Sequence, residues 1–481
     1  MAFSSLGLNR TRWSPELLAI LLVYFVQGAL GLSQLAISFY FKDVLEVGPA
    51  QLAAFLGVAS IPWTIKPLYG WISDTYPIAK YRRRPYLLLS GLMGCLSWLA
   101  LATIANSVWT ATVAMVAGSM SIALADVIVD ALVVERTREE DRAGAGTLQS
   151  LSWGATALGS ILTAYWGGAL LDIVGPQTVF GMTSLLPLFV AASAIAIAED
   201  PVGGTSNSGD TDADNSVPPA PNIANGLTQI KEVWAAIRTP SILLPTAFIC
   251  LWQATPSAES AFFYFATNDL GFGPEFLGRV RLATSVAALL GIGIFQKWLR
   301  DVPLRKILVW MTLISFGLGL TSLILITHTN RVWGIADEWF SLGDSVVLTV
   351  SGEIAFMPIL VLAARLCPPG IEATLFALLM SLLNLSGLLS RELGALLMQG
   401  LGVTETNFAA LGTLVIITNL TTLLPLPLIH WLPNDTAKGQ HQQDETVIPT
   451  LTDLQQAEII HNSTQPDPNE PIPINKSDVA A

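Results

Sequence analysis

Twelve apolar runs, each about twenty residues or longer, recur along this chain. They fall near 17–41, 51–73, 86–105, 108–134, 146–171, 177–198, 241–267, 276–298, 305–328, 343–366, 371–400 and 406–432. A run of this length spans the hydrocarbon of a bilayer as a helix. No water is available there to satisfy backbone N–H and C=O groups in any open structure. Only 12% of the residues are charged and 52% are hydrophobic, against roughly a quarter charged in a soluble domain. A disordered chain, a nucleic-acid binder and a secreted disulfide scaffold are thereby excluded. The expected class is an all-α polytopic membrane protein with 12 transmembrane helices.

The net charge of −12 is unevenly placed. Residues 199–226 hold five acids and no Lys or Arg, and residues 433–481 hold eight acids and two lysines. The apolar body is close to neutral, and the acidic segments cannot build a core. The organisation expected is an N-terminal six-helix bundle (1–198), a cytoplasmic linker (199–240), a C-terminal six-helix bundle (241–432) and a disordered cytoplasmic tail (433–481). Within the linker, Leu227 to Arg238 forms a short amphipathic helix by its pattern, with Ile230, Val233, Trp234 and Ile237 on one face. Arg10, Arg12, Lys80, Arg82, Arg83, Arg84, Arg136, Arg138, Arg142, Lys231, Arg238, Lys297, Arg300, Arg305 and Lys306 all fall on one set of alternate connections. Positive charge marks the cytoplasmic side, so both termini are expected there.

The first half maps onto the second at a nearly constant offset. At 227 residues Asp74 falls on Asp301, Asp126 on Glu353, Arg138 on Arg365, Thr147 on Thr374 and Leu148 on Leu375. Gln27 meets Gln253 at 226, and Phe39-Tyr40-Phe41 meets Phe263-Tyr264-Phe265 at 224. Duplication of an even number of spans leaves both halves facing the same way in the membrane, with a site between them near the midplane.

Catalytic and metal devices are not expected. Cys95, Cys250 and Cys367 are scattered, the four histidines sit at run ends or in the tail, and no Walker A, H-E-x-x-H or nucleophile-elbow pattern occurs. No cofactor, metal, removed signal peptide or nucleic-acid partner is expected, and the chain is read as not an enzyme.

Ionisable residues inside the spans carry the functional argument, because each costs at least ~2.5 kcal/mol to insert. Asp126 and Asp130 are four apart and share a helix face. Glu353 is the repeat partner of Asp126, and Glu259 follows a Thr255-Pro256 step that loosens span 7. These acids suit reversible protonation or acceptance of a substrate's N–H groups; a structural ion pair is the competing reading. The embedded bases are Lys66, between Pro62 and Pro67, with Arg279, Arg281 and Arg391, and with Arg365 as an interface anchor. They suit an anionic solute, whereas Lys66 could also snorkel and Arg391 could simply neutralise Glu392. Gln27 and Gln253, with Trp153 and Trp252, offer amide groups beside flat aromatic faces, as a planar heteroaromatic solute would require. Helix packing is the competing use of those tryptophans. Asp74, facing Arg82, Arg83 and Arg84, is read as a cytoplasmic gate.

The strings YFVQGALGLSQLA from Tyr24, PWTIKPLYGWISDTYPI from Pro62, YRRRPY from Tyr81, DVIVDALVVER from Asp126, LQSLSWG from Leu148 and WQATPSAESAFFYF from Trp252 resemble the folate–biopterin transporter family of the major facilitator superfamily, in its cyanobacterial and plastid form. GEIAFMPILVLAARLCPPGIEATLFALLMS from Gly352 extends the likeness, and Gly70 to Pro85 is similar to that superfamily's loop signature. The resemblance covers roughly 17–432. It implies movement of folates or pterins across a bacterial inner membrane by alternating access. Asp126, Asp130, Glu259 or Glu353 would accept from the pterin ring, and Lys66, Arg279, Arg281 or Arg391 would hold the glutamate tail. Proton coupling follows as an expectation from the embedded acids. The rival readings are a proton symporter for a neutral solute such as a sugar, and a membrane receptor or anchored enzyme.

Overall fold

The computed structural model describes residues 14–139, 142–199, 201, 237–299, 302–366 and 372–433. Asp301, Arg300, Cys367, most of the expected linker with its amphipathic helix, and the expected tail from 434 onward lie outside the described residues. So do the side chains of Arg136, Arg138, Arg142, Thr147, Gln149, Arg365 and Thr374.

Among the described residues the chain is helical, without a strand beyond one isolated bridge between Ile78 and Tyr81. Twelve helical segments follow the expected spans. They are α1 (Pro15–Val44), α2 (49–75), α3 (Arg84–Thr103), α4 (Val108–Glu139), α5 (142–174), α6 (176–193), α7 (240–268), α8 (Pro274–Leu299), α9 (Leu304–Ile326), α10 (Asp337–Arg365), α11 (Glu372–Leu401) and α12 (Leu411–Trp431). Eight stretches are apolar and continuous enough to cross a membrane as they stand. One of these, Leu151–Ser193, holds two spans, because Gly175 takes φ 76 and Pro176 follows it. That left-handed backbone suits glycine alone and turns α5 into α6.

Local sequence explains where helices start and break. Ser14 caps α1 by accepting from the Leu17 N–H at 3.2 Å, and Pro15 occupies the first turn. Pro62 and Pro67 break α2 into pieces around Ser60 and Ile65. Helix α7 is unwound between Pro240–Gln253 and Glu259–Asn268, where Thr255 and Pro256 lie.

The internal repeat extends to hydrogen bonds. At the end of α1, the Leu45 N–H donates to the Tyr40 carbonyl (3.0 Å) and the Val47 N–H to the Phe41 carbonyl (2.9 Å). At the end of α7, 225 residues on, Leu270 donates to Phe265 (3.1 Å) and Phe272 to Ala266 (2.9 Å). Gly48 and Gly273 then take nearly the same extended conformation (φ −74, ψ 165 and φ −76, ψ 166), each followed by a first-turn proline, Pro49 or Pro274. Two copies of one strand-free corner therefore lead into α2 and α8.

Small residues let helices approach closely. Gly28 of α1 lies against the backbone of Thr156 and Ser160, and Gly159 of α5 lies against Phe25 and Ala29. Gly168 of α5 meets Gly278 of α8, which joins the first half to the second. At the face of the bundle opposite residue 14, Tyr264 of α7 is fully buried in the first-half core, and its hydroxyl donates to the Val47 carbonyl. Lys42 donates to the Asn268 side chain there at 2.8 Å, and Phe39 meets Phe263 edge-on at 5.3 Å. The two halves are thus held together at the far face.

Candidate substrate site

Four helices bring polar groups together inside the bundle. The ammonium of Lys66, on the second piece of α2, donates to the Asp126 carboxylate of α4 and lies 3.9 Å from Asp130. It also sits 5.5 Å from the ring centre of Trp63. Tyr24 of α1 donates its hydroxyl to Asp130 at 2.5 Å. Asn384 of α11 donates to the Trp63 carbonyl at 3.1 Å, so the second half closes one wall. The proline-broken α2 exposes that carbonyl, since Pro67 supplies no N–H of its own. Lys66 and Asp126 are mostly covered (16% and 14% exposed side chains), whereas the Asp130 side chain is 52% exposed. One cation faces two carboxylates, which leaves a formal charge of −1. Tyr24 is not evident as a site residue from sequence, because it sits inside an apolar run. Its spacing of three from Gln27, on the same helix face, was the available signal. The Gln27 Nε2 is buried without a hydrogen-bond partner among the described residues.

Glu353, the repeat partner of Asp126, is placed differently. Its Cβ packs against Gly291 of α8, where an added methyl would sit 2.8 Å from it. At the 225-residue offset of the α2 and α8 corners, Gly291 is the counterpart of Lys66. Glu353 therefore has no lysine opposite it and makes no ion pair or hydrogen bond among the described residues. Asp344, a further carboxylate on α10, is held by Thr321 and by Ser322 (3.2 Å) at the break in α9. The sequence reading did not single it out, because it lies near a helix end.

The arginines separate. Arg279 is exposed and pairs with Glu275 one turn away at 2.6 Å, and Tyr165 also donates to Glu275 at 3.4 Å. Arg281 instead crosses between halves and donates to the Gln34 side chain of α1. Glu259, exposed at the start of the second piece of α7, is within electrostatic reach of Arg281. Arg391 lies on α11 between two contacts. Ser390 donates to the Thr255 carbonyl at 2.6 Å, and Glu392 lies against Gly57 of α2. Arg391 and Glu392 form no ion pair with each other among the described residues.

The tryptophans separate as well. Trp252 packs with Phe248, Ile249, Leu308 and Ile359 in the second-half core, beside the half-buried Gln253. On α5, Thr156, Gly159 and Ser160 meet α1, and Tyr165 and Gly168 meet α8, while Leu158, Leu162 and Trp166 form the exposed outer row. At about 100° per residue, Trp153 falls between the α1 and α8 rows and away from the outer one. Its 60% exposure therefore opens toward the crevice between the halves.

At the face that carries residue 14, Arg83 pairs with Asp74 at 2.8 Å and bonds Ser73 at 3.2 Å. Arg84 bonds the Ala194 carbonyl at 3.0 Å, and the buried Arg82 Nε has no partner among the described residues. The backbone N–H groups of Arg82, Arg83 and Arg84 all donate to the Glu199 carboxylate. These contacts bind α2, α3 and the end of α6 within the first half. Glu199, read from sequence as a linker acid, is the anion at the N-terminus of α3.

This architecture, an all-helical bundle of two similar halves around embedded ion pairs, is that of the major facilitator superfamily. A D-xylose–proton symporter structure superposes with a TM-score of 0.63 at 14% identity, covering 88% of this chain and 99% of that one. A nucleoside transporter structure gives 0.62 at 13% identity, covering 86% and 98%. The chain belongs to the BT1 family, whose pattern matches residues 27–450. It is 57% identical over 425 residues to the folate-biopterin transporter of Synechocystis, covering 88% of this chain and 83% of that protein. It is 30% identical over 429 residues to folate transporter 2 of Plasmodium falciparum, covering 89% and 90%. These relatives are transporters, not enzymes.

Proposed function

We propose that this protein carries folates and related pterins across a bacterial inner membrane, by alternating access of its two halves and coupled to protons. The observation that carries the reading is the 57% identity, over most of the chain, to a protein named folate-biopterin transporter. The geometry supports it. A pterin ring presents a ring N–H beside an amino group, and one carboxylate can accept from both. Asp130 is the carboxylate with room to do so; Tyr24 donates to it, Gln27 lies one turn along α1 from Tyr24, and Trp153 offers a stacking face. Lys66 and Asp126 hold each other and set the local charge. Glu353 is the proton site. It faces Gly291 rather than a cation, and Asp344 on its own helix is already bonded to Thr321 and Ser322. A carboxylate without a counter-ion in a membrane interior is stabilised by a proton.

In this reading both termini lie in the cytoplasm, next to the basic loop of Lys80 to Arg84. Residues 1–198 and 241–432 are the moving halves, 199–240 links them and 433–481 is a tail. Asp74 with Arg83, both in the first half, forms that half's side of the gate there.

The test is uptake of labelled folic acid and labelled biopterin into proteoliposomes, with and without an inward proton gradient, and with xylose as competitor. Uptake that the gradient drives and xylose does not inhibit supports the reading. Binding without uptake makes the protein a receptor, and inhibition by xylose makes it a sugar carrier. Glu353→Gln is expected to keep folate binding and lose the response to the gradient. A gradient response equal to wild type removes Glu353 from the proton role.

A further inference from the structure

The embedded charges of this chain form two levels. Counting about 1.5 Å of rise per residue from the far-face helix ends, Arg281 lies about 10 Å deep. By the same count Lys66, Asp126 and Glu353 lie about 25 Å deep. The deeper level is acidic, and its one cation is committed to Asp126. At the shallower level, Arg279 is neutralised by Glu275. Arg281 bonds only a neutral amide, that of Gln34, among the described residues. Glu259 acts on it from beyond ion-pair distance, which offsets charge without occupying the guanidinium fork. Gly31 makes the space: a Cβ at that position would lie 3.4 Å from an Arg281 guanidinium nitrogen. Arg281 sits on α8 and Gln34 on α1, so a ligand held here touches both halves.

We infer that Arg281 is the residue that selects for an anionic tail, taking a carboxylate of an elongated substrate whose heterocycle lies about 20 Å deeper at Asp130. The inference rests on the folate reading and divides the work between the two levels. The acidic level reads the ring and is indifferent to the tail. Arg281 reads the tail, and Lys66, Arg279 and Glu353 do not. A planar fork suits two carboxylate oxygens at once. Displacing the Gln34 amide leaves that amide free, and its partner is then whatever α1 meets as the halves part.

The experiment measures binding to purified full-length protein of folic acid and of the same molecule with both tail carboxylates capped as amides. Wild type is expected to prefer the dianion. In Arg281→Gln, folic acid binding weakens about tenfold to a hundredfold, the range for losing a charge-assisted pair, while diamide binding changes little. Gly31→Val, which crowds the guanidinium without removing it, is expected to shrink the same preference. Arg279→Gln changes both ligands by the same factor. Equal weakening of both ligands in Arg281→Gln, or a dianion preference that survives it, overturns the inference. Wild type that binds neither ligand defeats the folate reading itself and is distinguishable from both.

Discussion

Lys66 and Asp126 show at the residue scale why the site could be read only in part from sequence. Each was recognisable as a charge inside an apolar run, and each therefore needed a reason to be there. Their partnership was not recognisable, because the lysine lies on α2 and the aspartate on α4, 60 residues apart. Helix spacing fixes neighbours at three and four residues and says nothing about partners on other helices. Tyr24 was hidden for the converse reason, since an aromatic in an apolar run reads as packing. The Lys66–Gly291 contrast was within reach of the repeat, but only at the offset of the α2 and α8 corners. The pair has a testable energetic signature. Removing one partner of a covered ion pair leaves the other uncompensated and costs about 3–5 kcal/mol, whereas replacing both with apolar residues costs far less. Lys66→Met should therefore lower the thermal unfolding midpoint of the detergent-solubilised protein more than Lys66→Met with Asp126→Leu does. Equal loss in the single and double variants would mean that the two charges do not depend on each other.

At the element scale, breaks signalled by proline were legible and breaks made by hydrogen bonds were not. Pro62, Pro67 and Pro256 announced the interruptions in α2 and α7. The widened, underwound ends of α1 and α7, at Tyr40–Val44 and around Phe265–Phe272, had no such mark. Nor did the role of Glu199, because three backbone donors converge on it from a loop more than a hundred residues away. Its surroundings, rich in Gly, Ser and Asp, read as linker. Glu199 satisfies donors at the start of α3 that would otherwise be unpaired. Glu199→Ala is expected to cost about 1 kcal/mol or more, as loss of a helix cap does. It should also speed proteolytic cleavage of the 76–83 loop. Stability and cleavage unchanged from wild type would show that water replaces the carboxylate without loss. Gly168 and Gly278 form the other sensitive joint. Gly278→Val should hold α5 and α8 apart and reduce uptake while leaving membrane insertion intact, measured by transport against surface labelling.

For the whole molecule, the all-helical, membrane-spanning architecture was readable because hydrocarbon permits few structures and apolar length measures them directly. The conformation was not readable, because it depends on which ends of the halves touch. The halves meet at the far face through Tyr264 and Val47, Lys42 and Asn268, and Phe39 and Phe263. Alternating access requires those contacts to separate once per cycle. In a background with Cys95, Cys250 and Cys367 replaced, Lys42→Cys with Asn268→Cys places one thiol on each side of this contact, to be joined by a short reducible cross-linker. The decisive measurement is labelled folic acid uptake into proteoliposomes of this variant, before cross-linking, after it, and after reduction. The account predicts uptake, then none, then recovery. Uptake that continues at the uncross-linked rate while the far face is locked would contradict it.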